Sequence, residues 1–258
     1  MSRFENPFIF GEIVDEPNFV DREKELDQLV RDLADGQKIF LLSPRRFGKS
    51  SLVEMALLRL RKQYIHCVSI TVSSYAGYTQ FLEKFAEKVI RAAGPWDQVK
   101  DWLTRFARNV KPEIGYNMGT GEVSVSLGRG AGFDAEPIAP EIFAMPGELA
   151  RNGGFRMAIC LDEFQQISEF DSGSVENVLR NQVQKQREVG YVFAGSQPSL
   201  MKEMLTAKRP FHKAGPQIFL DKIPAAAWRE FIVRRFANRG RRLSDRGMEA
   251  LLQAADLI

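Results

Sequence analysis

Five short runs constrain this chain most: KIFLL (38–42), HCVSITV (66–72), RMAICLD (156–162), GYVFAGS (190–196) and QIFLDKI (217–223). Each is apolar without alternating, which is how strands buried on both faces of a parallel sheet read. Helical patterns separate them. Between the first two, KSSLVEMALLRLRKQY places Leu52, Met55, Leu58 and Leu60 as an apolar set, and a strand, a helix and a strand in that order imply a right-handed crossover within one parallel sheet. The expected class is α/β.

Ahead of the first strand, Asp21 reads as an N-cap, Leu26, Leu29, Val30 and Leu33 as one helix face and Gly36 as its stop. Helical spacing returns at 78–93, through Phe81, Phe85 and Val89, and at 97–110, through Val99, Leu103 and Phe106. The stretch 111–128 breaks this rhythm: two alternating runs around Gly119 and Gly121 predict a β-hairpin inserted at the edge of the sheet. The Gly-, Pro- and Ala-rich stretch 128–140 reads as a loop or linker. After Pro224 come two amphipathic helices separated by Gly240, the second with Ser244 as N-cap. The expected organisation is a domain over 1–224 and the beginning of a small helical lid over 225–258, cut short within it.

Composition excludes several classes. Charged residues make up 27% and hydrophobic ones 44% of the 258 residues, an ordinary globular balance. The net charge of +3 is too small for the broad basic field of a general nucleic-acid binder. DNA contact is left open by arginines at 45–46, 234–235, 239 and 241–242. Cys67 and Cys160 lie in apolar runs and read as buried core residues, while His66 and His212 stand too far apart to build a metal-ligand cluster by spacing. No signal-peptide pattern opens the chain, and no apolar run reaches the ~18 residues of a membrane span. The chain reads as soluble and cytoplasmic.

The first strand runs straight into SPRRFGKSS, close to the phosphate-loop pattern G-x-x-x-x-G-K-[ST] but with Ser43 in place of its first glycine. A helix N-terminus presents unpaired N–H groups and partial positive charge, so a loop that wraps phosphate there needs a backbone free to approach it. Gly48 supplies that, Lys49 carries an ammonium within reach of the β- and γ-phosphates, and the Ser50 hydroxyl can ligate Mg²⁺. Serine serves at position 43 if its φ is negative. Alone, Gly-Lys-Ser is weak. The strand MAICLDEF adds a second element, ending in adjacent carboxylates: Asp162 to orient Mg²⁺ and Glu163 to activate water. A third is GYVFAGSQPS, whose Ser196 and Gln197 sit at a strand C-terminus, on the ligand edge of a parallel sheet, unless they only cap the loop before Pro198.

The order NPFIFG, FVDREKEL, LLSPRRFGKSSL, AICLDEFQ and YVFAGSQPSLM resembles the archaeal-type ATPases of the STAND/AAA+ branch of P-loop NTPases, relatives of the origin-recognition ATPases, over nearly the whole chain. The resemblance implies a P-loop NTPase sandwich of the AAA+ kind, with ATP and Mg²⁺ as ligands and a serine tolerated at position 43. It assigns the nucleotide to Ser43, Pro44, Arg45, Arg46, Phe47, Gly48, Lys49, Ser50 and Ser51. Phe19 and Val20, with Arg22 beside them, would lie near the adenine. Metal would fall to Ser50 and Asp162, and catalysis to Glu163, Lys49 and Ser196 at the sensor position. Arg180, on the helix before the sensor strand, is a candidate arginine finger or a solvated helix charge. Arg45 and Arg46 face phosphate, solvent or a partner. Where the family carries a second sensor this chain offers only His212 and Lys213. The function expected is ATP binding with slow hydrolysis serving as a conformational switch, with self-association or an unidentified protein partner. The alternative is a nucleotide-gated protein or DNA interaction module with little turnover.

Overall fold

The computed structural model describes residues 18–94, 113–117, 122–127, 135–170 and 174–256. The helix expected at 97–110 and the loop at 128–134 lie outside them. Five strands form one sheet, all paired in parallel: β1 (Lys38–Leu42), β2 (His66–Thr71), β5 (Met157–Asp162), β6 (Val189–Gly195) and β7 (Gln217–Phe219), in the order β2-β5-β6-β1-β7. The remaining two, β3 (Glu113–Asn117) and β4 (Glu122–Ser126), form an antiparallel pair. Expected and observed strands agree to within a residue or so, except that β7 ends at Phe219 rather than 223.

The alternation that the sequence hides appears in the core. Phe40, Leu42, Val68, Ile70, Ile159, Leu161, Tyr191 and Phe193 share one apolar cluster. It is roofed by α3 (Tyr78–Ala93), α4 (Ala139–Gly153) and α5 (Val175–Val183). Ile39, Leu41, Ala158, Cys160, Val192, Ala194 and Ile218 share the other, under α1 (Glu23–Ala34) and α2 (Lys49–Lys62). Successive strand residues thus face opposite helical layers, and both layers are apolar, so each strand reads as a continuous run.

Several expectations need correction. The cap of α1 is Arg22 rather than Asp21; both take left-handed φ, and no side chain caps the helix. On α2, Leu58 is 41% exposed and the buried set is Leu52, Val53, Met55, Ala56, Leu57 and Leu60. Residues 53, 56, 57 and 60 share a 3.6-residue stripe from which 58 is turned away. The hairpin is not an edge of the main sheet. Its two strands form their own sheet against α3, where Glu87 and Glu83 accept the Val125 and Leu127 amides at 3.1 and 2.9 Å while Val125 and Leu127 are buried. The stretch expected as loop up to 140 turns helical before it ends, with a 3₁₀ turn at Glu136–Ile138 leading into α4. Cys67 is only half-buried, Cys160 fully, and neither forms a disulfide; burial pushes both thiols up, Cys67 to about 11.

After β6 come α6 (Pro198–Met204), then β7 and the C-terminal pair α7 (Ala225–Ala237) and α8 (Asp245–Asp256). Ser244 does cap α8, its hydroxyl accepting the Gly247 amide at 3.2 Å. This pair has its own small cluster of Val20, Phe231, Ile232 and Met248. No helix among the described residues is long and apolar enough to cross a membrane.

Candidate functional site

Parallel pairing brings the strand C-termini to one edge. Leu42 stands level with Gly195 and Phe219, and Leu161 with Phe193, so the segments after β1, β5 and β6 leave the sheet side by side. Ser43 prolongs the ladder by one bond, its amide donating to the Gly195 carbonyl at 3.2 Å. Its φ is negative and its side chain fully buried, the hydroxyl donating to the Pro44 carbonyl at 2.9 Å. The condition for serine at this position is met. Pro44, Arg45, Arg46 and Gly48 are exposed, Phe47 is half-buried, and Arg46 takes a left-handed φ of 70°.

Gly48 is the N-cap of α2 at φ 84°, and no side chain caps the helix. A side chain at 48 would meet open space; the backbone angle is what calls for glycine there. The first turn of α2 is therefore an uncapped positive end beside a loop with room above it, which suits an anion. Lys49 is buried, and its ammonium pairs with Asp162 Oδ1 and stands 3.5 Å from Glu163 Oε1. Ser50 is exposed on the same turn, and Ser51 is half-buried.

Glu163 sits on the turn out of β5 with φ 52°. Its amide donates to Asp162 Oδ1 at 2.9 Å, and its Oε2 accepts hydrogen bonds from Ser196 Oγ and Gln165 Nε2, each at 2.6 Å. Burial resists ionisation of this carboxyl, but the Ser196 and Gln165 hydrogen bonds and the Lys49 charge outweigh it and hold the group below its ordinary range. Ser196, from the end of β6, is thus directly bonded to the Glu163 carboxylate and is more than a cap on the following loop.

Phe19 and Val20 occupy a junction. Phe19 packs on the cluster under α1 and α2, while Val20 belongs to the cluster of the C-terminal pair. Buried Arg22 ties the same strand of chain to β7's exit, donating to the Asp221 carbonyl and pairing with Glu25 at 3.2 Å. Arg180 is elsewhere. It donates to Gln184 on its own helix at 2.9 Å, and its charge acts on Lys38, which opens β1 at the edge opposite the loop. The sequence gives Gln165 no visible role; nothing in LDEFQ says that its side chain turns back onto Glu163.

No family model and no curated protein matches the sequence. Solved structures do match its fold. A Walker-type ATPase of Pyrococcus abyssi superposes with TM-score 0.64 at 17% identity, over 96% of this chain and 67% of that one. The Aeropyrum pernix ORC2 protein, in ADPNP–ADP complexes, matches with TM-score 0.53 at 12% identity, over 89% and 54%. The Aeropyrum pernix ORC1 protein, in complex with DNA, matches with TM-score 0.52 at 15% identity, over 85% and 50%. This chain thus spans about half to two thirds of the length of these neighbours. The fold matches AAA+ P-loop ATPase structures: a helix-flanked parallel sheet with the SPRRFGKSS loop at the C-terminal end of β1.

Proposed function

We propose that this protein binds Mg-ATP at the α2 N-terminus and hydrolyses it slowly, the nucleotide state acting as a conformational switch of the STAND kind. One observation carries the reading: the Lys49 ammonium, the Asp162 and Glu163 carboxylates and the Ser196 hydroxyl, delivered by different elements, form a single bonded network beside an uncapped helix start. These groups suit their roles. Backbone N–H groups of 45–51 hold phosphate oxygens, with Lys49 turning from the carboxylates to the β- and γ-phosphates. Ser50 and Asp162 are hard oxygen donors and would hold Mg²⁺, which supplies positive charge against the phosphate oxygens when bound. Glu163 orients water and accepts its proton, with Ser196 steadying the carboxylate. Phe19 and Val20 would lie against the base, and Val20's packing on α7 and α8 would pass the nucleotide state to a lid over 225–258, distinct from the body over 1–224. Arg180 keeps a role as arginine finger only toward a neighbouring copy, since it stands away from this chain's own loop. Arg45 and Arg46, both exposed, are free to meet phosphate or a partner.

Calorimetry of the purified protein with Mg-ATP and Mg-ADP tests the binding step. Saturable binding of either is expected, and binding of neither sinks the proposal.

A second reading, a nucleotide-gated module that holds nucleic acid, draws on the exposed Arg234, Arg239, Arg241, Arg242 and Arg246 of the C-terminal pair. A DNA shift assay at rising salt separates it, because phosphate contacts weaken steeply with salt. No shift at low salt ends that reading.

A further inference from the structure

Gln165 is 2% exposed, lies two residues beyond Glu163 and has no part in the reading above. The left-handed turn at Glu163 sends the chain into a 3₁₀ segment, Phe164–Glu169, whose Phe164, Gln165 and Ile167 are buried. Phe164 anchors the segment among Phe193 and Phe211, with ring centres 4.6 and 5.2 Å away. The Gln165 carboxamide is thereby carried to Glu163, where its Nε2 donates to Oε2 at 2.6 Å. Its Oε1 finds no hydrogen-bond partner among the described residues. A buried amide left half-satisfied costs stability that leucine or methionine, filling the same space, would not.

The opposite wall is shaped for it as well. A Cβ on Gly195 would stand 2.7 Å from Gln165 Oε1 and 2.4 Å from Met201 Cγ, so the glycine ending β6 leaves the room that the carboxamide occupies. The next residue, Ser196, supplies the other donor to the same carboxylate oxygen. Glu163 Oε2 is therefore gripped from both sides, and Oε1, on the Lys49 side, is the oxygen left to engage a reacting group.

We propose that Gln165 is a positioning residue: with Ser196 it fixes the rotamer of Glu163 by holding Oε2, so that Oε1 alone is presented to the attacking water. This rests on the ATPase reading for its catalytic consequence, while the clamp itself is a property of the nucleotide-free protein. The two can be judged apart.

The clamp is tested by a double-mutant cycle on melting temperature without nucleotide, using Gln165→Leu, Glu163→Ala and the pair. The expected result is that Gln165→Leu shifts Tm less favourably in the wild-type background, where the Glu163 carboxylate loses a donor, than beside Glu163→Ala, where the carboxamide has already lost its acceptor. Equal shifts in the two backgrounds overturn the clamp. Should the leucine variant not fold, Gln165→Met, unbranched and of equal length, replaces it. The catalytic consequence is read from steady-state turnover. Gln165→Leu is expected to lower kcat about tenfold with KM for ATP within about twofold, as fits a group that orients without binding substrate. An unchanged kcat, or a fall in affinity with kcat preserved, overturns the positioning role. Failure of the wild-type protein to bind ATP or ADP would remove the ATPase reading and leave the melting cycle to decide the clamp.

Discussion

The sheet body and the C-terminal helical pair are held together very differently. In the body, two apolar layers close on the strands, and Phe40, Phe81, Phe85, Phe143, Phe164, Phe193 and Phe211 are all fully buried, many in ring contact. The pair α7 and α8 closes on a handful of residues, with Val233 left 55% exposed and Arg234 and Arg235 resting over the ring of Phe231. The chemistry-bearing side chains come from the first region, where dense packing fixes Lys49, Asp162, Glu163 and Ser196 in register. Val20, from the chain ahead of α1, belongs to the cluster of the second region, and Arg22 holds the Asp221 carbonyl shortly before α7 begins. The proposed switch would draw on this contrast in packing, because a small differential interaction suffices to shift an equilibrium between two arrangements of the smaller cluster.

The largest effect is expected inside the platform's site. Lys49→Ala should reduce ATP affinity by at least about a hundredfold in calorimetry, since it removes the charge proposed to meet the phosphates; an affinity within tenfold of wild type breaks the assignment. Next comes packing. Phe193→Ala should cost about 3–5 kcal/mol in denaturant unfolding, the range for a fully buried aromatic, whereas Phe231→Ala in the smaller cluster should cost roughly 1–3 kcal/mol. Equal costs would dissolve the contrast between the two regions. Hydrogen exchange sharpens the same point, with amides of β1, β5 and β6 expected to exchange slowest and those of 225–256 markedly faster.

Smaller still is the acid dependence of Glu163. Its folded value lies below its unfolded one, so its contribution is present above the ordinary carboxylate range and is lost as pH falls through the depressed value. Glu163→Gln should therefore flatten the acid limb of stability against pH; an unaltered limb removes Glu163 as its source. Least of all is Arg229→Ala, which breaks an exposed pair with Glu249 and should change stability by under about 0.5 kcal/mol.

The legibility of the sequence followed the same division. Strands buried on both faces announced themselves as runs such as KIFLL and MAICLD, and the residues at their C-terminal ends met where a parallel sheet requires. What stayed hidden was whatever depends on partners distant in sequence. No local pattern says that β6 lies between β1 and β5, separating the loop strand from the Asp162 strand. Helix α4 was hidden by Pro146 and Gly147, interior residues that argue against a helix until burial of Ile142, Phe143, Met145 and Leu149 outweighs them. The hairpin's docking on Glu83 and Glu87 and the return of Gln165 onto Glu163 are tertiary hydrogen bonds with no spacing rule behind them.

Phosphate release from Mg-ATP by the wild-type protein and by Glu163→Gln, measured beside ATP binding, tests the central claim most directly. The account predicts slow release by the wild type, and in the variant loss of release with ATP binding retained. A basal rate unchanged by Glu163→Gln would contradict it.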